Sequence, residues 1–342
     1  MRHVAIASGL IFALANGIAG EALATSYSFL PIEVPGAQAG RTTVLGINRA
    51  GQVSGYYDDP TGGYHGFLDT QGSFVTLDAP GAFAGQTTAT GINNAGQVTG
   101  YFNARGGTMA FVYSAGSYTT ISVPGGGANA VYPSGINSSG QVTGVYYDLL
   151  NNARSFVDTA GSFVTFDMPG AFANSTYAQS INKSGQVAGY YQDATGDHGF
   201  VKTADSFTTI DVPGAAGATI AKGINAAGQV TGYYYDGTGS HGFVDTAHRF
   251  TTLDLPGMPV GQTTLWGISD AGQVAGYYGD STFSYSFVAT QAPTDVPEPA
   301  SAALLTLSLA AAFTARSRCR PLRPHKRAKA GGQRVGRGGV TA

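Results

Sequence analysis

Gly91-Ile92-Asn93-Asn94-Ala95-Gly96-Gln97-Val98-Thr99-Gly100-Tyr101 decides the fold, because the chain carries this stretch six times with small variations. The other copies begin at Gly46, Gly135, Ser180, Gly223 and Gly267. Their shared glycines, Gly51, Gly96, Gly140, Gly185, Gly228 and Gly272, lie 43 to 45 residues apart. A period in that range marks a solenoid, a propeller or an array. Asn93 at the first position and Gly96 at the fourth suit a type I turn. The stretch therefore reads as a hairpin: a strand, a tight turn and a second strand.

Outward from that hairpin, each unit reads as four short strands. In the second unit these run from about Thr88 to Asn93, Gln97 to Phe102, Ala110 to Tyr113 after a looser loop, and Tyr118 to Val123. Pro124-Gly125 stops the last, as Pro80, Pro169, Pro213 and Pro256 do elsewhere, since proline cannot donate to a ladder. Gly, Thr, Val, Tyr and Phe dominate and no helical period is present, which is strand and turn composition. The sixth unit stops after its third strand, near Thr290. The chain opens on an orphan fourth strand, Phe29 to Gly36, which aligns with Phe74 to Gly81.

These units predict an all-β, six-bladed β-propeller of ~44-residue repeats whose last blade is closed by the N-terminal strand beside Phe287. A β-solenoid is the alternative, but it leaves two open edges that need caps. The mid-strand glycines Gly55, Gly100, Gly144, Gly189, Gly232 and Gly276 predict close approach of a neighbouring blade.

Both ends read as processing segments. Residues 1–24 form a signal peptide: Arg2 and His3, an apolar run around Ile11–Ala15, and Ala22-Leu23-Ala24 as a small-x-small cleavage site. The propeller then occupies 25–291 and a linker 292–301. Ala302–Ala315 reads as a short transmembrane helix, at 14 residues below the ~20 of a full span. A basic tail, 316–342, stays cytoplasmic under the positive-inside rule, so the body faces outward.

Val296-Pro297-Glu298-Pro299, the apolar run and the Arg316–Arg320 cluster together resemble the PEP-CTERM sorting signal. The resemblance covers roughly the last 50 residues. It implies an exported substrate of an exosortase-type sorting enzyme. Such a chain is held in the inner membrane by its C-terminal helix, then reaches the cell surface or extracellular space after processing. It also implies association with exopolysaccharide and biofilm matrix. The tail beyond Arg320 is longer than the family usually shows.

The whole chain holds 18 Lys and Arg against 20 Asp and Glu. Ten of the basic residues are Arg2 or lie from Arg316 onward, so residues 25–315 keep 8 basic against 19 acidic. An acidic body argues against nucleic acid as a partner. Cys319, in the tail, is the single cysteine. The body therefore has no disulfide, thiolate metal site or cysteine nucleophile.

The repeat is also similar to the HAF family of extracellular repeats. Ile92, Asn93, Gly96, Gln97, Val98 and Gly100 carry its first parts. His65-Gly66-Phe67, His198-Gly199-Phe200 and His241-Gly242-Phe243 stand in place of its His-Ala-Phe. Met109-Ala110-Phe111, Arg154-Ser155-Phe156 and Tyr285-Ser286-Phe287 depart further. The resemblance covers Thr25 to Gln291 and implies architecture and export, with no activity attached.

His65, His198 and His241 occupy equivalent places on different blades, too far apart for a shared zinc ion; they read as tolerance at a strand start. Asp78, Asp167, Asp211 and Asp254, near the end of the fourth strand, read as solvated edge charges. Asp58, Asp148, Asp193, Asp236 and Asp280 open the loop after the second strand. Turn chemistry explains them, and calcium is a minority alternative. Tyrosines reach the same loop in pairs, on a face of variable connections where binding usually resides. Tyr57, Tyr147, Tyr191, Tyr235 and Tyr278 are the candidate ligand face, with inter-blade packing as the competing explanation.

Catalytic, cofactor and metal motifs are absent from the sequence. The expected function is a non-enzymatic, envelope-sorted repeat protein with a structural, adhesive or exopolysaccharide-associated role. The alternative is a propeller enzyme, a lyase or glycosidase, acting on extracellular polysaccharide.

Overall fold

The computed structural model describes residues 27–123, 126–204, 206–279 and 284–292. The expected signal peptide, the sorting motif Val296–Pro299, the C-terminal helix, the basic tail and Asp280 lie outside them. Blade 1 comprises β2 (Thr42–Ile47), β3 (Val53–Asp58), β4 (Tyr64–Thr70) and β5 (Ser73–Leu77). Blade 2 holds β6 (Thr87–Ile92), β7 (Val98–Ala104), β8 (Gly107–Ser114) and β9 (Ser117–Ile121). Blade 3 holds β10 (Gly126–Ile136), β11 (Val142–Asp148), β12 (Ala153–Thr159) and β13 (Ser162–Phe166). Blade 4 holds β14 (Thr176–Ile181), β15 (Val187–Asp193), β16 (Gly196–Lys202) and β17 (Phe207–Ile210). Blade 5 holds β18 (Thr219–Ile224), β19 (Val230–Asp236), β20 (Gly239–Thr246) and β21 (Arg249–Leu253). In blade 6, β22 (Thr263–Ile268), β23 (Val274–Gly279) and β24 (Ser284–Gln291) are completed by β1 (Tyr27–Ile32). The closing strand pairs antiparallel with β24, Tyr27 facing Gln291 and Pro31 facing Phe287. The fold is the expected six-bladed propeller, closed at the N-terminal strand.

The repeated Asn is what the hairpin motif is built on. Asn93 Oδ1 accepts from the Ala95 and Gln97 N–H groups, both at 3.0 Å, and so shapes the turn. Its Nδ2 donates to Gln97 Oε1 at 2.8 Å and to the Asn137 carbonyl of the next blade at 2.9 Å. The side-chain amide is thus saturated, two bonds accepted and two donated. Gly96, at φ +76°, supplies the left-handed residue the turn requires. The same inter-blade bond runs from Asn48 to Asn93, Asn137 to Asn182, Asn182 to Asn225, and Asn225 to Ser269. Ser269 is the sixth member and the exception: its hydroxyl accepts from the Ala271 and Gln273 N–H groups and caps its own turn. Between blades 6 and 1 the link is made elsewhere. Ser286 Oγ donates to the Thr42 carbonyl at 2.8 Å and accepts from the Val44 N–H at 3.0 Å.

The core lies between blades. Ala188 and Ile210 of blade 4 pack with Ala221, Ile224, Val230 and Phe243 of blade 5. Phe67, Phe111, Phe156, Phe200 and Phe243 are fully buried on the third strands. Each contributes about 1.5–3 kcal/mol by removal from water.

Two expectations need correction. The mid-strand glycines do not admit the neighbouring blade. A Cβ on Gly100 would strike the Thr88 carbonyl of its own blade and lie 2.6 Å from the Phe111 ring. The cause is a β-bulge: the pairing shifts between Ala89 and Gly91, and at the matching place in the other blades. The glycine that does face the next blade opens the motif, where a Cβ on Gly91 would sit 2.9 Å from the Ser134 carbonyl. The connection after the second strand is also not uniformly loose. In blades 2, 4 and 5 it is a tight turn, such as Ala194-Thr195 between Asp193 and its partner Gly196.

Closure by β1 gives a direct expectation. Deleting residues 25–36 leaves one edge of β24 unpaired and opens the seam, so cooperative thermal unfolding is lost and replaced by a broad transition in calorimetry. An unchanged sharp transition would refute ring closure as a condition of folding.

Candidate functional site

The bulge sets the phase of everything near the axis. Tyr56, Tyr101, Val145, Tyr190, Tyr233 and Tyr277 follow the mid-strand glycines and lie opposite Thr43, Thr88, Tyr132, Tyr177, Ile220 and Thr264 of the inner strands. Many of these side chains wall a cavity of about 540 Å³ on the axis, among them Tyr56, Tyr101, Tyr132, Tyr177 and Tyr277. Arg41, Asp58 and Ser284 lie at its mouth, on the face where second strands end and third strands begin. Tyr101 meets Tyr132 edge-on at 5.1 Å, and Tyr177 stacks on Tyr190 at 4.8 Å.

Below the tyrosines the six blades each contribute one residue to a ring: Leu45, Thr90, Ser134, Gln179, Lys222 and Trp266. Each directly precedes the first residue of the repeated motif, so the backbone position is the same six times and the side chain never is. The ring separates the cavity from a neck of about 80 Å³ lined by the Asn turns. Thr90 Oγ1 donates to the Pro133 carbonyl at 2.7 Å, and Ser134 Oγ to the Ala178 carbonyl at 2.8 Å, each bonding to the next blade.

Lys222 is the exceptional member. It is 9% exposed. Its ammonium lies 4.1 Å from the Trp266 ring centroid and 5.3 Å from that of Tyr190, and donates to Gln179 Oε1 at 3.0 Å. Burial without an opposing carboxylate lowers its pKa to about 7. Burial acts oppositely on the phenols. Tyr190 is pushed up to about 12, and Tyr101, Tyr177, Tyr233 and Tyr277 are also raised. At neutral pH the wall therefore presents protonated hydroxyls, able both to donate and to accept.

Of the expected ligand-face tyrosines, one lines this cavity. Tyr147 lines the cavity, 6.1 Å edge-on from Tyr132. Tyr235 is 45% exposed and sits edge-on to Tyr233. The other three lie between blades. Tyr57 stacks on His65 at 5.4 Å, and its hydroxyl is 3.2 Å from Thr76 Oγ1. Tyr191 is 7% exposed and packs near His198, while Tyr278, 4% exposed, sits in the cluster around Leu253 and Phe287. The axial residues, Lys222 and Trp266 above all, are not singled out by sequence reasoning, although their failure to repeat within a repeating frame marks them.

The three histidines are not merely tolerated at strand starts, and the fourth-strand aspartates are not isolated edge charges. His241 Nδ1 lies 2.7 Å from Asp254, and its Nε2 is 3.2 Å from Asp236. His65 bridges Asp78 and Asp59, and His198 bridges Asp211 and Asp193. In blade 3 Arg154 takes the same place, 3.0 Å from Asp167 and 3.6 Å from Asp148. Asp193 also accepts from the Thr195 N–H and hydroxyl, which is turn chemistry. Among the described residues no cluster of His, Cys, Asp or Glu is arranged to hold a metal.

The fold and site together define a six-bladed β-propeller with an aromatic axial cavity. No protein-family model and no curated protein matches the chain. Solved structures that resemble it include AofleA from Arthrobotrys oligospora, 14% identical over 78% of this chain and 90% of that one, with a TM-score of 0.48. A fungal lectin from Aleuria aurantia, described as a six-bladed β-propeller with a novel fucose recognition mode, is 13% identical over 78% of this chain and 100% of its own, TM-score 0.47. TolB from Acinetobacter baumannii is 11% identical, covers 70% of this chain and 64% of its own, and has a TM-score of 0.50. Likenesses at these identities concern the fold alone.

The clamps give a pH dependence. Burial disfavours each imidazolium, but the flanking carboxylates outweigh it and hold His65, His198 and His241 above the usual histidine range. Such a group lends stability below about pH 6.5 and loses it as pH rises through the raised value. Thr61, Thr195 and Thr238 hydroxyls, and then the histidines, hold Asp59, Asp193 and Asp236 low. Those lend stability above about pH 4 and lose it as pH falls through the lowered value. The clamps should therefore contribute a fall in melting temperature of about 1–3 °C between about pH 6 and pH 9, set against the rise that Lys222, with its lowered value, contributes over the same range. Replacing all three histidines by Arg, the residue blade 3 already uses, should flatten that fall; an identical slope would refute the clamps.

Proposed function

We propose that this is an exported, envelope-sorted propeller that acts by binding, without catalysis, and that carbohydrate of an extracellular matrix occupies its axial cavity. The observation that carries the reading is the unlike ring Leu45, Thr90, Ser134, Gln179, Lys222 and Trp266 in an otherwise repeated frame. Packing alone would be served by one residue repeated six times; a single asymmetric ligand would not. The volume suits a small ligand. Tyrosine faces beside neutral hydroxyl and amide groups suit a sugar ring, which needs a flat apolar surface and hydrogen-bond partners. Among the described residues Asp58 is the one carboxylate lining the cavity, short of the pair that glycoside cleavage commonly uses. The chain leaves the propeller after β24, whose end is tied to the turn face by Gln273 Nε2 on Thr290 Oγ1. β24 thus ends on the face away from the mouth.

A glycan panel presented to residues 25–295 tests the binding. Tyr101→Ala and Tyr277→Ala should each weaken the retained sugar about three- to tenfold, and no product should form over long incubation. Product formation abolished by Asp58→Asn would replace the binding reading with the enzymatic one. Sorting is tested separately: replacing Pro297 and Pro299 by Ala should leave the full chain unprocessed in the inner membrane. Unchanged processing and surface delivery would count against the sorting signal.

A further inference from the structure

Within the ring at the base of the cavity, Lys222 has three N–H donors and one hydrogen-bond partner, Gln179 Oε1. It forms no ion pair among the described residues. Beside it, Trp266 Nε1 is buried and comes near the Tyr277 hydroxyl, but makes no hydrogen bond of good geometry. Lys222 therefore keeps two N–H donors without a partner at the neck, and Trp266 Nε1 adds one more beside the cavity wall. The nearby carboxylates are otherwise engaged. Asp270, on the neck, accepts from Asn94 Nδ2 and the Ala226 N–H. Asp197, whose charge raises the Tyr190 and Tyr233 phenols, does not act on Lys222, for which burial is the sole cause of the shift. Lys183, the other cation lining the neck, is exposed.

A buried amine without a counter-ion is costly, typically by several kcal/mol, unless it releases its proton or meets an anion. Aromatic faces on Trp266 and Tyr190 favour the cationic form but cannot neutralise it. Resting on the reading of the cavity as a carbohydrate site, we propose that its ligand is an acidic sugar. The uronate carboxylate reaches the neck and is held by the Lys222 ammonium and the Trp266 indole N–H, while the ring lies among the tyrosines. The partner class is thus an acidic polysaccharide rather than a neutral one.

Trp266 is the only tryptophan in the chain, so its fluorescence reports on this site directly. The intact body, titrated with D-galacturonate and D-glucuronate, should show a saturable change at least tenfold tighter than with D-galactose or D-glucose. Acetate alone should compete weakly. Lys222→Met, a close match in volume, should abolish the preference, with a melting temperature no lower than that of the native protein as the control on folding. In the native protein the preference should fade as pH rises through about 7, where the free amine loses its charge. Lys222→Arg, charged throughout, should keep it. Equal affinity for acidic and neutral sugars, or a preference that survives Lys222→Met, overturns the acidic ligand and leaves the cavity reading standing. Absence of any response to all four sugars removes both.

Discussion

The structure depends on one side-chain amide, repeated. An Asn at the foot of five of the six inner strands shapes its own turn and hands a hydrogen bond to the same turn in the next blade. A net contribution of about 1 kcal/mol per bond is modest. Its importance is geometric, because it holds successive inner strands at one spacing where glycines allow the backbones to touch. Ser269 interrupts the relay at the one junction joined by strand exchange. Ser286 of the closing blade bonds there to Thr42 and Val44, as Ser155 of blade 3 does to Thr176 and Ala178 of blade 4.

Holding six inner strands alike leaves their axial side chains free to differ. Turn, bulge and third-strand phenylalanine recur because each blade must meet the next. The residue before the motif is not held to one type, since it points to the axis, although Thr90 and Ser134 also bond to the next blade. Asymmetry there requires no change in the frame. That separation of duties explains how a nearly sixfold scaffold presents one non-repeating site, with a cation on one side, Leu45 among the apolar members, and hydroxyls between.

Much of this is legible in the chain. The spacing counts the blades, and the likeness of Phe29–Gly36 to Phe74–Gly81 places the closing strand against β24. The bulge is what hides the rest. No residue type announces it, yet it places one extra residue in the inner strand, so that the Thr88 carbonyl lies over Gly100 and both Thr88 and Thr90 line the cavity. The second strand keeps its alternation, and Tyr56 and Tyr277, the first of their pairs, line the cavity while Tyr57 and Tyr278 do not. The clamps are a different matter, because their signal is present. His65, Arg154, His198 and His241 each precede an aspartate by 13 residues. Where Met109 replaces the histidine, Ser122 replaces the aspartate. Two residue types that change together across blades of one chain are in contact.

Strand exchange at the seam has a consequence for time rather than for energy. Ser28 meets Thr290 across 262 positions of chain. Relative to closing one repeat, the longer loop adds only roughly 1.6 kcal/mol of entropy. The order of events is affected far more. β1 emerges first from synthesis and must wait, unpaired, until every blade behind it has been made. Pro31 within it withholds one backbone donor from any passing strand during that interval. The first strand produced is thus the last to be secured, and the ring exists only once the body of the chain is complete.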